Sequence, residues 1–349
     1  MRVRSDAPPR RAQAPGEAGS CTGPADHCPP PDARAQPASP PLPSQSPRRG
    51  GEEPGREGRA ADWDSQALPG AAVRRGEAMS ALPGLRPEVR DSCASLGFML
   101  LVVLLVGLAR AGARKRLHRP AAHAFVSEFL GTLQLCCCTH ELLLLSEQDS
   151  AHPTWTLTLV YFFSLVHGLT LAGTSSNPCS LMMQIALGGM APEMGALRLL
   201  AQLASALGSR YCMRALWSLG LTRYHFGERI FDCRNPVQSD LPKAVMTEAI
   251  CCFIFHSALL QFQEVRARLR VHLLAAVITF LAYAGGSLTG ALFNPALALS
   301  LHFVCFDEAF SQFFTVYWLA PSVGILLMIL MFSFLPPWLN HNQIITKKE

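Results

Sequence analysis

Charge is scarce in this 349-residue chain. Asp, Glu, Lys and Arg make up 16% of it, against about 25% in soluble domains. Half of the residues are hydrophobic and they gather in long runs, so no water-facing surface could be covered. That excludes a soluble protein and leaves an integral membrane protein. The excess of 30 Lys+Arg over 25 Asp+Glu is small, and the basic residues are not striped with aromatics, which excludes a nucleic-acid partner. The sequence has no Cys-x-x-Cys and no His-x-x-x-His spacing, so a zinc site lacks its signature. Cys136, Cys137, Cys138, Cys251 and Cys252 lie inside apolar runs, where Cys serves as a small hydrophobe. There is no Asn-x-Ser/Thr acceptor either, because Asn177, Asn235 and Asn294 each precede Pro. Nothing calls for a cofactor or a metal.

Residues 1–78 hold 14 of the 26 prolines, with Gly, Ser, Arg and Glu between them. A segment of that composition buries too little apolar surface to offset its ordering entropy and is expected to be disordered. No apolar core follows its basic start, so it is not a signal peptide. Met79-Ser80-Ala81-Leu82 reads as a second start, leaving open an expressed extension or an upstream start codon.

Apolar segments then follow at 96–109, 121–145, 155–172, 195–219, 244–262, 271–286 and 315–335. Most approach the roughly 20 residues that cross a bilayer as a helix. Two more, 177–189 and 294–304, are too short to span, and each opens with Asn-Pro. Short interrupted segments at matching places in two halves mark buried half-helices and a site at the membrane midplane. Glu128 stands 49 residues before Asn177, and Glu248 stands 46 before Asn294. Gly173 and Gly290 each lie four residues ahead of their Asn. Each half thus contains a helix with one Glu, a second helix, a Gly-x-x-x-Asn-Pro half-helix and a third helix. Three spans per repeat is odd, so the second copy enters the membrane inverted.

The basic linkers Arg110, Arg114, Lys115, Arg116, Arg119 and Arg266, Arg268, Arg270 are expected in the cytosol, with the C-terminus. Loop 220–243 then lies on the other side, and 96–109 is an extra helix before the repeat. A half-helix that begins at mid-membrane presents unpaired N–H groups and a partial positive charge of about half a unit. Each Pro fills the first helical position without loss. Each Asn caps its helix and is expected to turn its NH2 into a lumen. Two such ends meeting there would orient water and repel cations.

These residues resemble the aquaporin, or major intrinsic protein, family over roughly residues 121–338. The matches are Ser127-Glu128-Phe129-Leu130-Gly131-Thr132, Ala201-Gln202, Gly286-Ser287-Leu288-Thr289-Gly290 before Asn294-Pro295-Ala296, and Tyr317-Trp318-Leu319-Ala320-Pro321. The first motif is Asn177-Pro178-Cys179 where the family usually has Asn-Pro-Ala. That departure and the extra helix resemble the divergent intracellular subfamily. The resemblance implies an all-α membrane protein with six transmembrane helices, two re-entrant half-helices and an extra N-terminal hydrophobic helix. It implies a passive channel for water, glycerol and hydrogen peroxide in a lipid bilayer, assembled as a homotetramer, without catalysis. It also implies residence in the endoplasmic reticulum, with the plasma membrane or other intracellular vesicles as alternatives. The tail Thr346-Lys347-Lys348-Glu349 is one register away from a dilysine retrieval signal.

The expected organisation is a disordered extension over 1–78, an extra helix and basic linker over 79–120, and a first channel repeat over 121–220. A non-cytosolic loop over 221–243, a second repeat over 244–338 and a cytosolic tail over 339–349 follow. Where most of the family has Arg after the second Asn-Pro-Ala, this chain has Leu297. Counting twelve back from Asn294 gives Ala282, and counting twenty back from Asn177 gives Leu157. The implied selectivity ring, Leu157, Ala282 and Leu297, is small and apolar. The resemblance assigns Glu128 and Glu248 a structural duty beside the loops; an enzyme would instead use them as an acid–base pair. A non-conducting scaffold is a further alternative, motivated by Leu297 and Cys179. Cys179 is either packed behind its motif or exposed to the lumen. Cys305 and Cys233 fall on the non-cytosolic side, where a disulfide, an intersubunit contact or buried thiols are all open. His140, His167 and His256 share no spacing and read as helix-packing polar groups.

Overall fold

Proline sets where most of the helices begin, because its missing N–H costs nothing in a first turn. Among the described residues, α1 (Pro87–Arg116), α2 (Pro120–Gln148), α3 (Pro153–Thr170), α4 (Pro178–Ala186) and α5 (Pro192–Trp217) all start on one. They are followed by α6 (Leu241–Gln261), α7 (Ala267–Thr289), α8 (Pro295–Glu308) and α9 (Phe310–Phe334), the last with a π-helical turn at Thr315–Leu319. The computed structural model describes residues 87–148, 153–225, 227, 230, 232–233 and 235–334, all within one unit, Gln66–Glu349. The expectations for 1–78 and 339–349 fall outside the described residues.

Helices α1, α2, α6, α7 and α9 are long and apolar enough to cross a membrane. Helix α3 has 18 residues, and α5, at 26 residues, carries Glu193, Arg198, Arg210 and Arg214 among its apolar side chains. The apolar segments at 96–109 and 271–286 lie inside longer helices, because the helical backbone runs on past the apolar stretch into polar ends. Helices α4 and α8 are the two half-helices. Helix α8 bends at His302, whose φ of −122° and ψ of 29° leave the helical region.

The inverted repeat is visible in the packing. Helix α2 lies chiefly on α5 and α6 on α9, the first and third helices of each half, while α3 packs on α7 between the halves. Helix α1 lies against α2. It buries one stripe, Asp91, Ser95, Phe98, Val106 and Arg110, and exposes Leu100, Leu101, Leu104, Leu105 and Leu108 on the opposite side. Close approach within the α6–α9 pair depends on Gly324, where a Cβ would strike the carbonyl oxygen of Ala249. Gly324→Ala is therefore expected to cost about 1–3 kcal/mol through overpacking, read as a lower thermal midpoint of the detergent-solubilised protein. Gly97→Ala, at an open position of α1, should leave that midpoint in place.

Candidate functional site: two half-helix ends at the centre of the bundle

The loops entering the two half-helices turn alike at both ends and differ between them at Ala291, held at φ 46°. Gly173 and Gly290, four residues before each Asn, are left-handed at φ 86° and 81°, a conformation that suits glycine. Immediately before each Asn, Ser176 and Phe293 are also held at positive φ, 49° and 34°, where a side chain is strained. What holds them is a carboxylate in each half. Glu128 Oε1 accepts the N–H groups of Ser175 at 3.0 Å and Ser176 at 2.6 Å. Glu248 accepts those of Leu292 at 3.1 Å and Phe293 at 2.7 Å. Both carboxylates are fully buried. Glu128 also takes Gln202 Nε2 at 2.8 Å and lies 3.4 Å from Arg198, while Glu248 takes the Thr289 hydroxyl at 2.6 Å.

The two asparagines then meet reciprocally. Asn177 Oδ1 accepts the N–H of Cys179 at 2.9 Å, and its Nδ2 donates across the bundle to Phe293 O at 3.1 Å. Asn294 Oδ1 accepts from Ala296 and Leu297 at 3.1 and 3.3 Å, and its Nδ2 donates to Ser176 O at 2.8 Å. Each amide thus caps its own helix and ties it to the last carbonyl of the opposite loop. Since an amide NH2 carries two hydrogens, this bond leaves one for another acceptor. The hydrogen expected to face a lumen is therefore the second one of each NH2.

A scan against models of known protein families finds no match. The chain is 76% identical to Aquaporin-11 of Mus musculus over 271 residues, covering 78% of this chain and all of that protein. It is also 76% identical to Aquaporin-11 of Homo sapiens, over the same shares. This chain belongs to the aquaporin family. An X-ray structure of the aquaglyceroporin from Plasmodium falciparum aligns with 62% of this chain and 96% of its own at 18% identity and a TM-score of 0.48. As a family member the protein is a multi-pass membrane channel for water or small solutes, not an enzyme.

In this aquaporin the remaining candidate residues fall in different surroundings. Leu297, on the first turn of α8, is 8% exposed and packs in an apolar cluster with Val237, Leu292 and Ala298. Leu157 and Ala282 are half-buried. Gly168 of α3 abuts Val271 of α7, where the two helices pack closely. Cys179 is out of solvent in an apolar cluster with Met183, Cys252, Leu281 and Ile325. Cys233 and Cys305 form a disulfide across 72 residues, tying the loop after α5 to the last turns of α8. His140 shares a hydrogen bond with Ser300 at 3.1 Å and His256 one with Ser180 at 3.0 Å, while His167 lies against Phe163.

Sequence reasoning missed Arg198, which approaches Glu128, and the role of Tyr317, whose hydroxyl donates to Thr289 O at 2.6 Å. Gln202 and Tyr317 stood in motifs that signalled them, whereas Arg198 gave no signal beyond being one of four charged residues in α5. The carboxylates' duty makes an expected result. Glu248→Ala leaves two N–H groups and a hydroxyl without acceptors, each costing about 1–3 kcal/mol when buried. Glu248→Ala should abolish recovery of monodisperse protein from detergent, and Glu248→Gln, which keeps one acceptor oxygen, should recover a measurable fraction.

Proposed function

We propose that this aquaporin passes water, glycerol and hydrogen peroxide, and that it excludes protons and other ions at Asn177-Pro178-Cys179 and Asn294-Pro295-Ala296. The observation that carries the reading is the reciprocal pair of asparagine bonds, Asn177 to Phe293 O and Asn294 to Ser176 O. It brings two helix N-termini together, and their dipoles disfavour a cation between them. A water oxygen held by donors on both sides cannot hand a proton along a file. Passage of the larger uncharged solutes follows from Leu157, Ala282 and Leu297 as the narrow ring, since none of them presents a charge or fills space as arginine would. Glu128 and Glu248 keep their structural place behind the loops.

The same reading puts residues 121–220 and 244–338 as the two channel repeats, the C-terminus in the cytosol, and the protein in the endoplasmic reticulum as a homotetramer. The disulfide between Cys233 and Cys305 agrees with an oxidising compartment on the side opposite the basic linkers. Stopped-flow light scattering of proteoliposomes tests the function with water, glycerol and peroxide in turn, alongside a pH-sensitive dye under an imposed potential. The expected result is solute flux above that of empty liposomes without acidification. Flux no greater than in empty liposomes would make the protein a non-conducting scaffold.

A further inference from the structure

Helix α1 lies outside both repeats, yet one of its side chains ends in the first pore loop. We propose that Arg110 is a positioning residue of the channel, which completes the first half-helix loop by supplying a donor that its own repeat does not bring there. The Arg110 guanidinium donates through Nη1 to the carbonyl of Thr170 and through Nη2 to that of Ala172 at 2.8 Å. These are the last carbonyl of α3 and one in the turn leading to Asn177. Two donors in a rigid fork suit two neighbouring carbonyls of a helix end.

Comparison of the repeats shows what the fork replaces. Ala172 stands five residues before Asn177, and Thr289 stands five before Asn294. The Thr289 carbonyl takes its bond from Tyr317 in α9, a helix of the same repeat. Matching Ala201-Gln202 of α5 with Ala320-Pro321 of α9 puts Arg198 where the second repeat has Tyr317. Arg198 reaches Glu128 at 3.4 Å and Gly173 O at 3.5 Å instead. The Ala172 carbonyl is served by Arg110 from outside the repeat.

Helix α1 is also pinned at its other end, where Asp91, 2% exposed, meets Arg223 at 2.6 Å. Arg223 follows the end of α5, and Thr170 closes α3, so the two attachments lie at opposite ends of the bundle. The 19 residue steps from Asp91 to Arg110 rise about 28 Å along an α-helix, close to the hydrocarbon thickness of a bilayer. The helix therefore holds Arg110 against the loop from a fixed anchor.

The transport readout of a test rests on the proposed channel function, so a second readout is needed that does not. Cys179 supplies it, because it lies directly after Asn177-Pro178 and is out of solvent. The full-length protein is reacted with N-ethylmaleimide and Cys179 labelling is followed by mass spectrometry, with exposed Cys93 as the reference for reagent. Arg110→Ala is expected to raise the Cys179 labelling rate about tenfold by allowing local opening of the loop. It should also lower water permeability per channel by about the same factor, the size of a lost charged hydrogen bond. Arg110→Lys, a point donor without the fork, should give intermediate values for both. Arg114→Ala removes a neighbouring exposed charge, and Tyr317→Phe removes the matching donor of the other loop; both should label Cys179 at the native rate.

Native labelling of Cys179 in Arg110→Ala would overturn the proposal, even if permeability fell. If Arg110→Ala yields no folded protein, native labelling in Arg110→Lys would overturn it in the same way, and faster labelling would uphold it. A protein that carries no water but shows the labelling differences would sink the channel reading and leave the role of Arg110 standing.

Discussion

In the Leu297→Arg variant, the ratio of glycerol to water flux is expected to fall about tenfold, the effect of little more than 1.4 kcal/mol on one barrier relative to the other. The arginine cannot leave its guanidinium where Leu297 now packs, among Val237, Leu292 and Ala298, because an unpaired charge in that cluster costs several kcal/mol. It is expected to turn instead toward the proposed pore, where it narrows the passage and offers donors. Water, small and a good acceptor, exchanges its hydration for those donors. Glycerol meets a smaller opening. In the native protein the proposed ring of Leu157, Ala282 and Leu297 would offer few hydrogen bonds, and each uncompensated polar group costs roughly 1–3 kcal/mol. Native water flux per channel should accordingly be lower than in an aquaporin that has arginine here. Stopped-flow measurement of both solutes on one proteoliposome preparation gives the ratio directly. A ratio equal to that of the native protein would mean that Leu297 does not set the filter.

Asn177→Asp and Asn294→Asp should each make the proposed proton-tight water path leak cations, with water flux reduced about tenfold or more. Aspartate is as good an N-cap as asparagine, so each half-helix keeps its cap. What disappears is the donor to the opposite loop, Phe293 O for Asn177 and Ser176 O for Asn294. A carboxylate oxygen would then face a carbonyl oxygen, and a negative charge would sit where the two helix ends had made the potential positive. Loss of a hydrogen bond between the loops moves both half-helices, and this gives two single substitutions 117 residues apart the same phenotype. The check is water flux together with potential-driven acidification in the same vesicles. Normal flux and a tight vesicle in both variants would remove these residues from the pore.

Much of this arrangement was legible in the residues themselves. Long apolar runs place helices in a membrane whatever their neighbours, because backbone groups in hydrocarbon must be satisfied within the segment. Asn-Pro at the start of two short runs sets two capped half-helices, since Asn as cap and Pro at the first turn are local choices. Similar spacing of Glu128 and Glu248 from their asparagines, 49 and 46 residues, made them equivalent. What spacing does not encode is which carbonyl a donor finds. The bonds of Asn177 and Asn294 join residues 116 and 118 apart, and only the meeting of the two repeats decides them. Arg110 shows the same division. As a residue in a basic linker it reads as a cytosolic topology signal, but α1 continues through it to Arg116 and turns it onto Thr170 and Ala172. Cys233 and Cys305, whose pairing was open along the chain, are joined because loop and half-helix end at one place. Local conformation and membrane insertion follow from residue type and period and were determined by the sequence alone. The partners of buried polar groups depend on how helices far apart in the chain pack, and the tertiary structure decided them.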